Sequence, residues 1–119
     1  MLRSNYENEL KELNDYIIEM GSLVVRAVTD AITALETHDL ELCTEVIQRD
    51  KEINEIENDI VSKCLWLITR EQPIGSDLRA IATALKVVTD MERIGDHAGN
   101  ICEWVEFSKT GTHKNTKIF

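Results

Sequence analysis

LKELNDYIIEMGSLVVRAVTDAITAL (residues 10–35) contains neither proline nor a cluster of turn residues, and its apolar positions settle the architecture. Leu10, Leu13, Ile17, Met20, Val24, Ala27, Ala31 and Ala34 recur at alternating steps of three and four, the stripe left by one face of an α-helix. Upstream, Ser4 and Glu7 have the spacing of a capping box, which places the helix start near residue 4 or 5. Downstream the stripe ends at about Leu35, and Thr37-His38-Asp39 breaks it with Asp39 ready to cap a second helix.

That second helix carries Leu42, Val46, Ile53, Ile56, Ile60, Cys64 and Leu67 on one face and is expected to end near Arg70. EQPIGSD (residues 71–77) follows, where Pro73 and Gly75 stop the pattern and Ser76 or Asp77 restarts it. A third helix is expected from about Asp77 to Phe107, leaving SKTGTHKNTKIF (residues 108–119) as a polar tail without periodicity. Helices of roughly thirty residues are about 45 Å long at 1.5 Å per residue, and short connections make sequential neighbours antiparallel. The expectation is therefore all-α: one elongated antiparallel three-helix bundle over residues 1–107.

A formal charge of −9 argues against a nucleic-acid binder, which needs clustered Lys and Arg. No stretch has the apolar length of a membrane span, and the acidic opening residues do not form a signal-peptide core. Contact with a membrane is expected only through partners. Cys43, Cys64 and Cys102 show no CxxC spacing, so they read as small buried hydrophobes of a reduced, cytoplasmic compartment. No serine or cysteine is paired by spacing with a base and an orienting group; His38 falls in a turn and His113 in the tail, so no enzyme activity is expected.

The chemically unusual feature is MERIGDHAGN (residues 91–100), which sets Glu92 and Asp96 one turn apart with Asn100 a turn beyond. On the third helix these lie on an extension of the face bearing Leu78, Ile81, Ala82 and Leu85, while Val87, Met91, Ile94, Ala98 and Ile101 form a band nearly opposite. On the second helix Asp50 and Glu57 share the arc of Ile53 and Ile60, with Asn54 at its margin. An acidic group on a packing face needs a counter-charge, a proton or a metal. Oxygen ligands at this spacing suit a divalent or iron-type metal, although such spacing is more often that of a solvated or salt-bridged surface. Arg79, Lys51 or a partner subunit could supply the opposing charge, whereas Arg93 is adjacent in sequence and His97 lies about 100 degrees around the helix from Asp96. The Glu-x-x-His signature of di-iron bundles is absent. Gly95 and Gly99 have the GxxxG spacing that permits close helix approach or leaves room beside the carboxylates.

Taken in order, MGSLVVRAVTDAITAL (20–35), VIQRDKEINEIENDI (46–60) and EQPIGSDLRAIATALKVVTDMERIGDHAGNI (71–101) resemble the PhoU family of phosphate-specific transport accessory and regulatory proteins, a likeness covering residues 5–107. The resemblance implies a cytoplasmic, non-enzymatic adaptor that acts with the phosphate ABC transporter ATPase and a phosphate-sensing histidine kinase, restraining the starvation response when phosphate is plentiful. It also implies metal binding through Glu or Asp followed four residues later by Asp. Here that pattern falls on Glu92 and Asp96, and on Asp50 and Asn54, where Asn54 replaces the carboxylate of the stricter motif. Asp77, Arg79 and Arg93 are expected as structural or interface residues. The family pattern has two such bundles per chain and this sequence one; it looks like the amino-terminal half, either a piece of a longer protein or a chain that pairs with itself as a homodimer. Two other expectations stand beside the adaptor: a metal-binding helical protein with a catalytic or storage role, and a scaffolding bundle unrelated to phosphate.

Overall fold

The computed structural model describes residues 3–110, as three helices: α1 (Arg3–Thr37), α2 (Leu40–Glu71) and α3 (Ser76–Thr110). The bundle measures 57 × 21 × 18 Å, and each helix packs against both others. Residues 38–39 and 72–75 make the two reversals, so α2 runs antiparallel to α1 and α3.

Local chemistry sets the reversals. Asp39 has extended backbone angles, and its carboxylate accepts from the Leu42 amide at 3.1 Å, satisfying one of the orphan donors of α2. At the other end Gln72 takes a left-handed conformation (φ 47°) and returns its amide to the Ile68 carbonyl. Gly75 follows at φ 60°, where a side chain would be strained, and its carbonyl accepts from the Arg79 amide as α3 begins. His38 is also left-handed, and its carbonyl accepts from Lys109 Nζ at 2.8 Å, tying the first reversal to the last turn of α3.

The α1 stripe is buried almost as its spacing predicts: Leu13, Met20, Val24, Ala27, Ala31 and Ala34 are core, and Leu10 and Ile17 pack at its edge. Tyr6 extends it by one turn. Helix α1 is already formed at Arg3, so the backbone of Ser4 lies inside it and does not precede it; the Ser4 side chain is outside the described residues. On α2 the core runs through Cys43, Val46, Ile53, Ile56, Ile60, Cys64 and Leu67, with Cys43 taking the place expected for Leu42, which is half-buried.

Helix α3 departs further from expectation. Its core line is Ile81, Ala84, Val88, Gly95, Ala98, Cys102 and Val105, with Met91 half-buried, whereas Leu78, Ala82, Val87 and Ile94 are exposed. Each of the two apolar faces read from the sequence is buried only in part, Ile81 and Leu85 of one and Met91, Ala98 and Ile101 of the other. The true line passes between them, and it goes unseen because Gly95 occupies a core position without contributing hydrophobicity. The helix continues through Thr110, past the expected end at Phe107, and residues 111–119, including His113, lie outside the described residues.

Candidate functional site: an acidic seam between α2 and α3

Two glycines of α3 face α2 at the level of Asp50 and Ile53. A Cβ placed on Gly95 would sit 3.4 Å from Ile53 Cδ1 and 3.8 Å from Asp50 Oδ1, and one on Gly99 would sit 3.9 Å from Asp50 Cγ. A methyl at either glycine would make ordinary van der Waals contact, and Asp50 lies beside the bare backbone of α3. Of the two roles anticipated for the glycines, the contacts bear on room beside a carboxylate, here that of Asp50.

Asp50 is half-buried, and its Oδ1 is enclosed without a hydrogen-bond partner. Burial is the largest cause holding its carboxyl above the usual range, followed by the negative charges of Asp96, Glu92 and Glu103. Glu92 is raised as well, first by burial, then by Glu57 and Asp96, with Arg93 opposing. The structure therefore brings Asp50, Glu57, Glu92 and Asp96 into one electrostatic neighbourhood, as their helical phases suggested. Asp96 itself is exposed, Asn54 is half-buried and Asn100 is buried; neither asparagine donates to Asp50 Oδ1.

Glu103 belongs to the same neighbourhood, and its Oε2 is also buried without a hydrogen-bond partner. Sequence reasoning missed it, although it stands seven residues beyond Asp96, two turns along the same face. The basic residues do not neutralise the seam. Arg93 approaches Asp90 at 3.8 Å, where Lys86 also pairs at 3.3 Å, and Arg79 is exposed on the first turns of α3. Lys51 and His97 are exposed, and Asp77 is half-buried in the first turn of α3. The stronger ion pairs lie elsewhere: Arg49 with Asp30 at 2.8 Å and Lys63 with Glu9 both join α1 to α2, as does the Tyr16 hydroxyl donating to Asp59 at 3.0 Å.

The carboxylate oxygens suit a hard cation, and the partnerless Oδ1 of Asp50 is the atom such a cation would satisfy. The side chains as placed do not form a finished cage: among the described residues, no three His, Cys, Asp or Glu side chains gather closely enough to hold one metal ion. What the seam stores in this arrangement is repulsion. Replacing Asp50 by Asn removes a desolvated charge, and Asp50→Asn is expected to stabilise the metal-free bundle by about 1 kcal/mol at pH 7, read by urea unfolding. The pH dependence has a definite sign. Because the folded carboxyl is raised, the folded chain binds more protons than the unfolded one between the ordinary carboxylate range and the raised value. Wild-type stability therefore falls as pH rises through that window, and the penalty is fully present above it. Asp50→Asn should flatten this slope; an unchanged slope would remove Asp50 as its source.

Three long antiparallel helices joined by short reversals, with an acidic seam between α2 and α3, define an all-helical bundle. Residues 17–105 match the PhoU domain family. The chain is 39% identical over 101 residues to the phosphate-specific transport system accessory protein PhoU of Serratia marcescens, covering 85% of this chain and 42% of that one. It is 37% identical over 107 residues to a PhoU homolog of Clostridium acetobutylicum (89% and 49%), and 42% identical over 95 residues to one of Aquifex aeolicus (80% and 43%). The chain belongs to the PhoU family. It spans less than half the length of each of these curated relatives.

Proposed function

We propose that this chain is a non-enzymatic regulatory adaptor of phosphate uptake, working in the cytoplasm with the ATPase of a phosphate ABC transporter and a phosphate-sensing histidine kinase. Its membership of a family whose relatives are named as accessory proteins of phosphate-specific transport carries this reading. None of the described helices is long and apolar enough to cross a membrane. Restraint of the starvation response then comes from which partner complex is populated. Tagged protein expressed in phosphate-replete and phosphate-starved cells should retain the ATPase or the kinase under at least one condition; retention of neither under both would overturn the proposal.

The adaptor acts as a homodimer through the outer α1/α3 face. Gly21 packs on Met91, its Cβ position 3.5 Å from Sδ, which marks the α1/α3 seam. Ile18 and Val25 stand one turn either side of Gly21, and Val87 and Ile94 one turn either side of Met91. All four are exposed, Ile18 and Val25 by about two thirds (68% and 66%), and Ile32 continues the seven-residue spacing along α1. Large apolar side chains at that spacing on two adjacent parallel helices make a continuous apolar strip, and a second copy related by a two-fold axis can cover it with the same strip.

A metal-binding role is the second reading, favoured by the enclosed and partnerless Asp50 Oδ1. Asp50, Glu92 and Asp96 would hold a divalent or iron-type cation, whose charge would offset the repulsion in the seam. Elemental analysis after reconstitution should find near-stoichiometric metal in wild type and none in a folded Glu92→Gln/Asp96→Asn variant. Wild type without metal would leave the adaptor standing alone.

A further inference from the structure

The α2/α3 register has a second product. Asp50 faces Gly95; moving seven residues back along α2 and seven forward along α3, two turns each way, brings Cys43 opposite Cys102. Both are fully buried and free, and each thiol is among the groups that act on the other. Cys64, the other buried cysteine, lies further down the rod, and burial is the sole cause acting on its thiol.

We propose that Cys43 and Cys102 form a latent dithiol that closes to an intramolecular disulfide when the chain meets a disulfide-class oxidant, stapling α2 to α3. The chemistry balances without a cofactor. The thiolate of one cysteine attacks a sulfur of a small disulfide such as oxidised glutathione, releasing one small thiolate and leaving a mixed disulfide on the protein. The thiolate of the other cysteine then attacks the protein sulfur and expels the second small thiolate. Two protein thiols are oxidised, one small disulfide is reduced to two thiols, and the protein's two protons pass to the departing thiolates.

The position of the pair makes the step conditional. Burial first, with Glu106 and Asp39 adding negative charge around Cys43 and Glu106 and Asp30 around Cys102, keeps both sulfurs as protonated thiols, the unreactive form, in the closed bundle. Reaction requires local opening, and the pair sits toward one end of the rod, where helix ends fray. Cys43 lies in the first turns of α2, Cys102 is eight residues before the last described residue of α3, and the exposed contact of Lys109 with the His38 carbonyl closes that end. Once the first sulfur has reacted, its neighbour is already in place.

The test uses the whole purified chain. It is incubated with oxidised glutathione under native conditions, its free thiols are then blocked, and intact mass and peptide mapping are read. The expected product has lost two hydrogen atoms, joins the Cys43 and Cys102 peptides within one chain, carries no glutathione and retains an alkylatable Cys64. In Cys102→Ala the resolving thiol is missing, so the glutathione adduct should persist on Cys43. Three thiols remaining free after the unfolded chain has oxidised would overturn the proposal. So would a stable wild-type adduct, or bridges that include Cys64 as readily as the other two.

Discussion

Ile53→Ala is expected to remove about 4 kcal/mol of stability, near the upper end of the usual range for deleting a large aliphatic side chain from a core. Ile53 is fully buried midway along α2, and across from it stands Gly95, with Ile53 Cδ1 and Cγ2 at 3.4 and 3.6 Å from where a Cβ would be. Facing a bare backbone, the vacated space has no side chain on α3 that could swing in to fill it, so most of the cavity persists. The same truncation at Ile74, 82% exposed in the second reversal, should change stability by under about 0.5 kcal/mol. Urea midpoints on the two variants give the comparison. A loss at Ile53 of less than about 1 kcal/mol would mean that the α2/α3 contact around Gly95 is looser than described.

The second large effect concerns assembly. Ile18→Glu, Val25→Glu and Ile94→Glu combined should weaken self-association by at least about a hundredfold, because three apolar anchors become six desolvated charges across a two-fold interface. All three positions are exposed within one chain, so the fold itself has little to lose. Sedimentation equilibrium over a range of concentrations should show wild type as a dimer and the variant as a folded monomer with an unchanged far-ultraviolet helix signal. A wild type that stays monomeric at high concentration would refute the proposed homodimer. Dimers surviving in the variant would move the interface off the α1/α3 face.

How far the molecule could be read from its sequence varied by helix. Helix α1 was almost fully legible because every layer of its core face carries an apolar side chain, alanines included, and no other apolar face rivals it in regularity. Helix α2 was legible apart from Leu42 and Cys43, neighbours of which either could have begun the stripe. In α3 two buried glycines interrupt the signal just where the core line passes, and the eye is drawn to Leu78, Val87 and Ile94, which are exposed. The acidic seam was half legible. One-turn spacing identified Glu92 and Asp96, and helical phase placed Asp50 and Glu57 toward the same partner. Glu103 lay beyond a one-turn search, and the encounters of Asp50 with Gly95 and of Cys43 with Cys102 depend on inter-helix register, which no local pattern records.

The two reversals lie at opposite ends of a rod 57 Å long, joined by three helices that each run its length in one piece. With no hinge between those ends, the bundle behaves as a lever. A tilt of about five degrees imposed at one end carries the other through about 5 Å, comparable to the displacements that switch packed interfaces elsewhere. In the proposed adaptor role, a shift in how one end is seated becomes a change in where the other end can reach, with no rearrangement of the core.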